Sequence, residues 1–313
     1  MTDMVFYIVY VCKFILSKQV GSMKKVFIIL LLLSLLAGCT RDAETQIAAT
    51  TGPVYQFAGL LCAGTDIQVS QLITEEVSCL HDYTLQVSQM RAAEAAEVVA
   101  ISGGGLEEFM EDVLSGANTV IDCSSGIDIM SYGENHDHEH EHDHGHDHGH
   151  DPHIWLSPAN AKIMAQNLCN GLSVQYPGYK ETFQKNLQVL LNKLDALQAY
   201  GEDTLSDLSC REMITFHDGF AYFAHSFDLT ILEAVEEESG SEASAKELKH
   251  LINLVNLHQL PAVFTEINGS VSAANVIARE TGTALYQLDM AMSGNDYFTS
   301  MYRNIDTVKE ALG

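Results

Sequence analysis

One stretch of the chain repeats a metal-binding side chain at every second position. Residues 136–150 read HDHEHEHDHGHDHGH, so an acidic residue or a glycine separates each histidine from the next. Imidazole and carboxylate groups bind Zn²⁺, Cu²⁺ or Ni²⁺, and a segment without fixed geometry selects poorly among them. The stretch has no apolar side chain to bury, so we expect a flexible loop that collects metal weakly, or else a solvated acidic loop. Its histidines are His136, His138, His140, His142, His144, His146, His148 and His150.

A selective metal site needs ligands that are held on separate rigid elements, and the sequence offers candidates outside this tract. His81, His153 and His217 each stand where a predicted strand or helix begins or ends, and His153 directly follows the tract. A single such histidine is often only a hydrogen-bonding residue, but three at element ends favour a metal site. The remaining histidines fall within predicted helices and are expected to be ordinary residues: His225, His250 and His258.

The N-terminal region has the features of an export signal. A basic segment that starts at Met23 precedes the apolar run from Val26 to Leu36. This run is too short to span a bilayer, because a membrane-spanning helix needs about 20 apolar residues. Leu-Ala-Gly then precedes Cys39, and this arrangement resembles the bacterial lipobox. We therefore predict a lipoprotein signal peptide at 23–38 with Cys39 as the lipidated first residue; a plain cleaved signal or an anchor helix are the alternatives.

Residues 1–22 lie upstream of this signal and contain a second apolar run. No signal peptide needs such a run, so we interpret 1–22 as a start-site artefact, with translation beginning at Met23. The alternative is that the two apolar runs pair as a hairpin anchor.

Charge and cysteine content narrow the classes of partner. The chain has 42 acidic and 16 basic side chains, a formal net charge of −26, which repels nucleic acid and attracts cations.

Irregularly spaced cysteines follow Cys39, without a C-x-x-C pair that would indicate structural zinc ligation. Outside the cytosol, their odd number predicts up to two disulfides and one free thiol, with the pairing open. They are Cys62, Cys79, Cys123, Cys169 and Cys210.

The elements that position these side chains follow an α/β pattern. From Gln46 onward, short apolar runs of strand length alternate with segments of helical periodicity, which predicts parallel sheets covered by helices. The apolar spacing over 181–208 predicts one helix long enough to join two lobes. Ligands of such sheets bind at the carboxyl ends of the strands, so we expect the site in the cleft between two Rossmann-like lobes.

This pattern predicts five regions after the signal peptide. They are an N-terminal α/β lobe at 39–133, the histidine-rich loop at 134–150, the remainder of the N-terminal lobe at 151–180, the linking helix at 181–208 and a C-terminal α/β lobe at 209–313.

Four segments, in order along the chain, resemble a known family. They read VSCLHDYTLQVSQMRAAEAAEVVAISGGGLEEFM, HDPHIWLSPANAKIMAQNL, ITFHDGFAYFAHSFDL and AVFTEINGSVSAANVIARETGTALYQLD. They are similar to the metal-binding solute-binding proteins of ABC transporters, and more narrowly to the zinc-uptake branch (cluster A-I, or cluster 9). That branch often carries a histidine-rich loop before the DPHIWLSP stretch.

The resemblance implies a zinc site between the lobes and a role in uptake. His81, His153 and His217 match the three imidazole ligands of the family, and Asp289 matches an acidic fourth position that some zinc members leave to water. Manganese relatives commonly have glutamate at the third position, so His217 favours Zn²⁺. The family further implies a monomer on the extracytoplasmic face of the membrane, anchored through Cys39, that delivers Zn²⁺ to an ABC permease with its ATPase.

Three other functions compete with this interpretation. A zinc hydrolase would need a general base such as that of H-E-x-x-H, and this motif is missing from the sequence. Glu266 could be considered as such a base, but we interpret it as a structural residue at the end of a strand. We therefore expect that this protein is not an enzyme. A surface zinc buffer or adhesin without transport could have much the same sequence, as could a relative tuned to Mn²⁺ or Ni²⁺.

Overall fold

The computed structural model describes residues 45–75, 80, 83–131, 150–235, 243–292 and 296–313. The predicted signal peptide, Cys39, His81 and the tract histidines from His136 to His148 lie outside the described residues. Among the helices of the described part, none is both long and apolar enough to cross a membrane.

The first half of the described chain is built on a parallel sheet. Its elements are β1 (Ile47–Ala49), α1 (Gly52–Leu61), β2 (Val69–Gln71), α2 (Val87–Ala95), β3 (Val98–Ile101), α3 (Glu111–Ser115), β4 (Val120–Asp122), α4 (Pro158–Gln175) and the long α5 (Lys180–Thr204). The strands lie in the order β2-β1-β3-β4, and every pair is parallel. The central strand β1 is fully buried, as expected for a strand with helices on both faces of its sheet.

The second half repeats this plan with a second parallel sheet. Its elements are β5 (Glu212–Thr215), α6 (Ala221–Ser226), β6 (Thr230–Ala234), α7 (Ala245–His258), β7 (Ala262–Glu266), α8 (Ser272–Thr281), β8 (Ala284–Leu288) and α9 (Tyr297–Leu312). The strands lie in the order β6-β5-β7-β8. The two sheets in the described residues confirm the predicted α/β fold with two lobes.

Helix α5 holds the two halves together. Its apolar face buries Phe183, Leu190, Leu194 and Leu197, and it packs against α1 and α4 of the first half and α9 of the second. The sequence predicted a helix over 181–208, whereas the helix runs from Lys180 to Thr204.

Buried hydrogen bonds join the halves beside this helix. The Trp155 indole Nε1 donates to the Met290 carbonyl at 2.8 Å, and the Tyr297 hydroxyl donates to the Trp155 carbonyl at 2.8 Å. The Tyr222 hydroxyl donates to the Asp151 carbonyl at 3.1 Å. Each of these buried hydrogen bonds contributes about 0.5–1.5 kcal/mol net to the packing of the halves. Together they hold the two halves against each other on either side of residue 153.

The periodic stretch over 106–114 predicts a helix, whereas the α-helix begins only at Glu111, and a buried carboxylate explains the difference. Glu107 turns back to accept the N–H of Ser102 at 2.8 Å and the N–H of Gly103 at 2.9 Å, and its Oε1 also accepts the Thr50 hydroxyl at 2.6 Å. This ties the ends of β1 and β3 together and holds the chain before residue 108 outside a helix. A 3₁₀ turn over Glu108–Met110 leads into the short α3 instead.

Gly103 is required at this turn. Its φ is +80°, and an added Cβ would fall on the side chains of Asp122 and Ser124. Glycine alone combines this backbone conformation with the close approach.

The expectation of disulfides is not met among the described cysteines. Cys62, Cys123, Cys169 and Cys210 are free thiols, while Cys79 lies outside the described residues. The four belong to different parts of the fold, after α1, after β4, within α4 and before β5. Burial raises the pKa of Cys62 to about 12 and also raises that of Cys123, so both thiols stay protonated.

Glu107 should make the stability of the protein depend on pH. Burial raises the pKa of its carboxyl from 4.5 to about 7, against the opposing effect of the hydrogen bonds that it accepts. Because the folded protein then holds a proton that the unfolded chain has lost, the free energy of unfolding should fall as pH rises from about 4.5 to 7. Glu107→Gln should remove about 3 kcal/mol of this fall, at about 1.4 kcal/mol per pKa unit.

Urea unfolding at several pH values measures this slope. Glu108→Gln is the matched control, because Glu108 is the exposed neighbour and should leave the slope unchanged. An identical slope in Glu107→Gln and in the unaltered protein would contradict the assignment.

Candidate metal centre

His153 is held by the segment that leads into α4. A 3₁₀ turn over Ile154–Leu156 follows it, and the Ser157 hydroxyl then caps α4, with Pro158 in the first turn. His153 is completely buried. The segment therefore presents one imidazole from the first half at the interface with the second.

The ring of His153 is oriented by Asp151. Oδ1 of Asp151 lies 2.9 Å from the backbone nitrogen and 2.8 Å from the ring Nδ1 of His153. A carboxylate only accepts hydrogen bonds, so Nδ1 carries the proton and Nε2 keeps the lone pair that a metal needs. The sequence analysis did not identify this role of Asp151, although the two-residue spacing within DPH is compatible with it.

The second half of the protein contacts this ring through a glycine. A Cβ built on Gly219 would lie 2.9 Å from Nδ1 of His153 and 2.5 Å from Cε of Met290. Only a residue without a side chain fits here. The close approach brings the turn that follows His217 directly against His153.

His217 completes a pair of imidazoles from the two halves. It follows β5 in an extended conformation, and its ring centroid lies 5.1 Å from that of His153, with an angle of 80° between the rings. Both residues are buried, with His217 only 8% exposed. Two imidazoles in this arrangement can serve a single metal ion, whose Zn–N distances are about 2.0–2.1 Å.

Acidic side chains surround His217. Oδ1 of Asp218 lies 3.3 Å from its Nδ1, and Oε2 of Glu266 lies 3.8 Å from its Nε2. Glu266 is the last residue of β7 and is buried. The negative charges favour a cation at this edge of the sheet and supply oxygen atoms near it.

Asp289 stands directly after β8, the strand next to β7, and is tightly held. Its Oδ1 accepts the N–H of Ala291 at 2.9 Å. Its Oδ2 accepts the Ser300 hydroxyl at 2.7 Å and pairs with Nη2 of Arg303 at 2.6 Å. Asn304 brackets its backbone, accepting the Asp289 N–H at 2.8 Å and donating to the carbonyl at 2.7 Å. These partners on α9 were missed by the sequence analysis, because only packing of α9 on β8 brings them to Asp289.

The carboxyl ends of three neighbouring strands thus carry His217, Glu266 and Asp289, as a parallel sheet predicts. His153 meets His217 from the other half. No group of three histidine, cysteine or acidic side chains placed to hold a metal is found within the described residues. His81, the third predicted imidazole, lies outside them, so the predicted ligand set remains a prediction.

The other histidines occupy separate places. Nδ1 of His258 pairs with Glu212 at 2.9 Å, at the start of β5 and so at the opposite end of that strand from His217. His250 lies 3.7 Å from Glu233 and is half-exposed. His150, the last histidine of the tract, is exposed and forms an isolated antiparallel bridge with Ser131.

Known proteins are similar to this chain in both sequence and fold. The chain is 27% identical over 292 residues to the zinc-binding protein AdcA of Streptococcus pyogenes serotype M6, covering 86% of this chain. It is 27% identical over 285 residues to the zinc-binding lipoprotein AdcA of Streptococcus pneumoniae serotype 4, again covering 86% of this chain. The chain spans about half the length of these relatives, 56% in each case.

This chain matches almost the whole length of one solved structure. The crystal structure of a ZnuA deletion mutant with zinc bound matches with a TM-score of 0.71 and 27% identity, covering 85% of this chain and 97% of that one. The profile of the family described as "ZnuA: Zinc-uptake complex component A periplasmic" matches residues 47–311. That match includes both sheets, the linking helix and the described candidate ligands, and the chain therefore belongs to the ZnuA family.

Proposed function

We propose that this protein is an extracytoplasmic solute-binding protein that captures Zn²⁺ and delivers it to an ABC permease with its ATPase. The observation that carries the proposal is the meeting of two buried imidazoles, His153 and His217, from opposite halves of the molecule at 5.1 Å. The similarity to proteins named as zinc-binding supports the choice of metal.

The proposed zinc shell is that of His81, His153 and His217, with Asp289 as the fourth ligand. Nitrogen-rich coordination favours Zn²⁺ over Mn²⁺, which prefers oxygen. Three imidazoles and a carboxylate fill a tetrahedral shell and leave no open position for a reacting water. We therefore propose binding without catalysis.

The proposed location follows from the lipobox-like signal. Cys39 would anchor the protein, as a monomer, to the outer face of the cell membrane, and the name of the pneumococcal relative, a zinc-binding lipoprotein, supports this anchoring. The tract at 134–150 would then raise the local concentration of metal near the cleft as a weak auxiliary binder.

Release must overcome a rigid frame. Since α5 and the buried bonds of Trp155 and Tyr297 restrict the movement of the halves, we propose that release involves small displacements of ligands on contact with the permease. Protonation of the imidazoles as pH falls would act in the same direction.

Loss of His217 should abolish tight zinc binding. His217→Ala removes one imidazole, and we expect affinity to fall more than about 100-fold, the upper end of losses caused by indirect ligand partners. Competition titration of the mature protein with a chromogenic chelator measures the dissociation constant. His258→Ala is the control, because that histidine lies at the opposite end of β5. Equal affinity in His217→Ala and in the unaltered protein would reject the ligand assignment.

Shortening the histidine tract should separate collection from selective binding. Replacing residues 134–149 with a short Gly-Ser linker keeps His150 and its bridge to Ser131. We expect one tightly bound Zn²⁺ per chain to remain while weakly bound ions are lost, because the proposed ligands lie outside the replaced stretch. Isothermal titration calorimetry counts both classes. Loss of the tight site would instead favour a zinc-buffering surface protein.

A further inference from the structure

The carboxylate of Asp289 already has a strong positive partner. Arg303 lies on α9, and its Nη2 approaches Oδ2 of Asp289 at 2.6 Å, while the Ser300 hydroxyl donates to the same oxygen at 2.7 Å. An ionised carboxylate oxygen has about two lone-pair sites. Two donors therefore use the acceptor capacity of Oδ2, and the Ala291 N–H occupies one site of Oδ1.

The two members of this ion pair lie in different environments, one partly exposed to solvent and the other buried. The Asp289 side chain is 10% exposed, whereas that of Arg303 is 47% exposed. Arg303 is thus partly hydrated and can be replaced without opening the core, while Asp289 remains in a buried setting that strengthens its interaction with any cation.

Charge sharing then decides how good a ligand Asp289 is. A metal ion that binds Oδ2 must displace a donor, and one that binds Oδ1 meets a carboxylate whose negative charge is already partly neutralised. In either arrangement the guanidinium lowers the free energy gained from the metal–oxygen bond.

We propose that Arg303 is a specificity-determining residue of the zinc site that weakens Asp289 as the fourth ligand. This inference rests on the proposed function. Weakening the oxygen ligand costs Mn²⁺ more than Zn²⁺, because Mn²⁺ relies on carboxylate oxygen whereas Zn²⁺ is held well by imidazole. Arg303 thereby moves the balance of the site toward imidazole and toward Zn²⁺.

The test is a double-mutant cycle on the mature protein. Arg303→Met keeps the apolar stem and removes the charge; Asp289→Asn removes the charge of the carboxylate. Zn²⁺ and Mn²⁺ dissociation constants are measured by competition for the single variants, the double variant and the unaltered protein. Lys309→Met is the matched control, since Lys309 is on the same helix and pairs with Asp207 instead.

Arg303→Met should bind Zn²⁺ about fivefold more tightly, the scale of a partly exposed ion pair, and Mn²⁺ should gain more than Zn²⁺. In the Asp289→Asn background the same change should have almost no effect, because the coupling between the two residues is then absent. Lys309→Met should change neither affinity. Arg303→Lys keeps the positive charge and should therefore keep the original preference for Zn²⁺ over Mn²⁺.

Two results would overturn the inference. One is an unchanged Zn²⁺ to Mn²⁺ preference in Arg303→Met. The other is an equal gain in affinity with and without Asp289, which would show only long-range repulsion by the guanidinium. Neither affects the proposed function, which fails separately if the unaltered protein lacks a tight Zn²⁺ site.

Discussion

The contact between Asp151 and His153 is the constraint on which the candidate site depends. One carboxylate oxygen binds both the backbone nitrogen and Nδ1 of the same histidine, at 2.9 and 2.8 Å. It therefore fixes the backbone, the orientation of the ring and the tautomer in a single step. Because His153 is completely buried, no solvent competes for this hydrogen bond. Nε2 is left as the basic atom of a ring whose position the rest of the fold must match.

The second half of the protein is arranged to meet that ring. Gly219 supplies the space next to His153, and His217 comes immediately before this turn. The bonds from Trp155 to Met290 and from Tyr297 to Trp155 hold the two halves in register just beyond the site. Packing along α5 and these buried hydrogen bonds, not a bound metal, hold the frame around His153 and His217.

Much of this architecture could be predicted from the sequence, for identifiable reasons. Helix α7 begins where Ser244 and Glu247 form a capping box, a spacing that the sequence itself displays. The alternation of strands and helices predicted both parallel sheets. Periodicity failed before α3, where the tertiary bonds of Glu107 override local helix propensity. The pairing of His153 with His217 followed from family resemblance, because spacing alone cannot bring residues 64 positions apart together. The link between Arg303 and Asp289 had no sequence signal, since it depends on the rotation of α9 against β8.

The central claim is that one Zn²⁺ binds between the halves on the two buried imidazoles. Anomalous X-ray diffraction at the zinc absorption edge, on crystals of the mature protein loaded with one equivalent of Zn²⁺, tests it directly. The account predicts one dominant peak within bonding distance of Nε2 of His153 and of a ring nitrogen of His217. A dominant peak on the histidine tract, with none between His153 and His217, would contradict it.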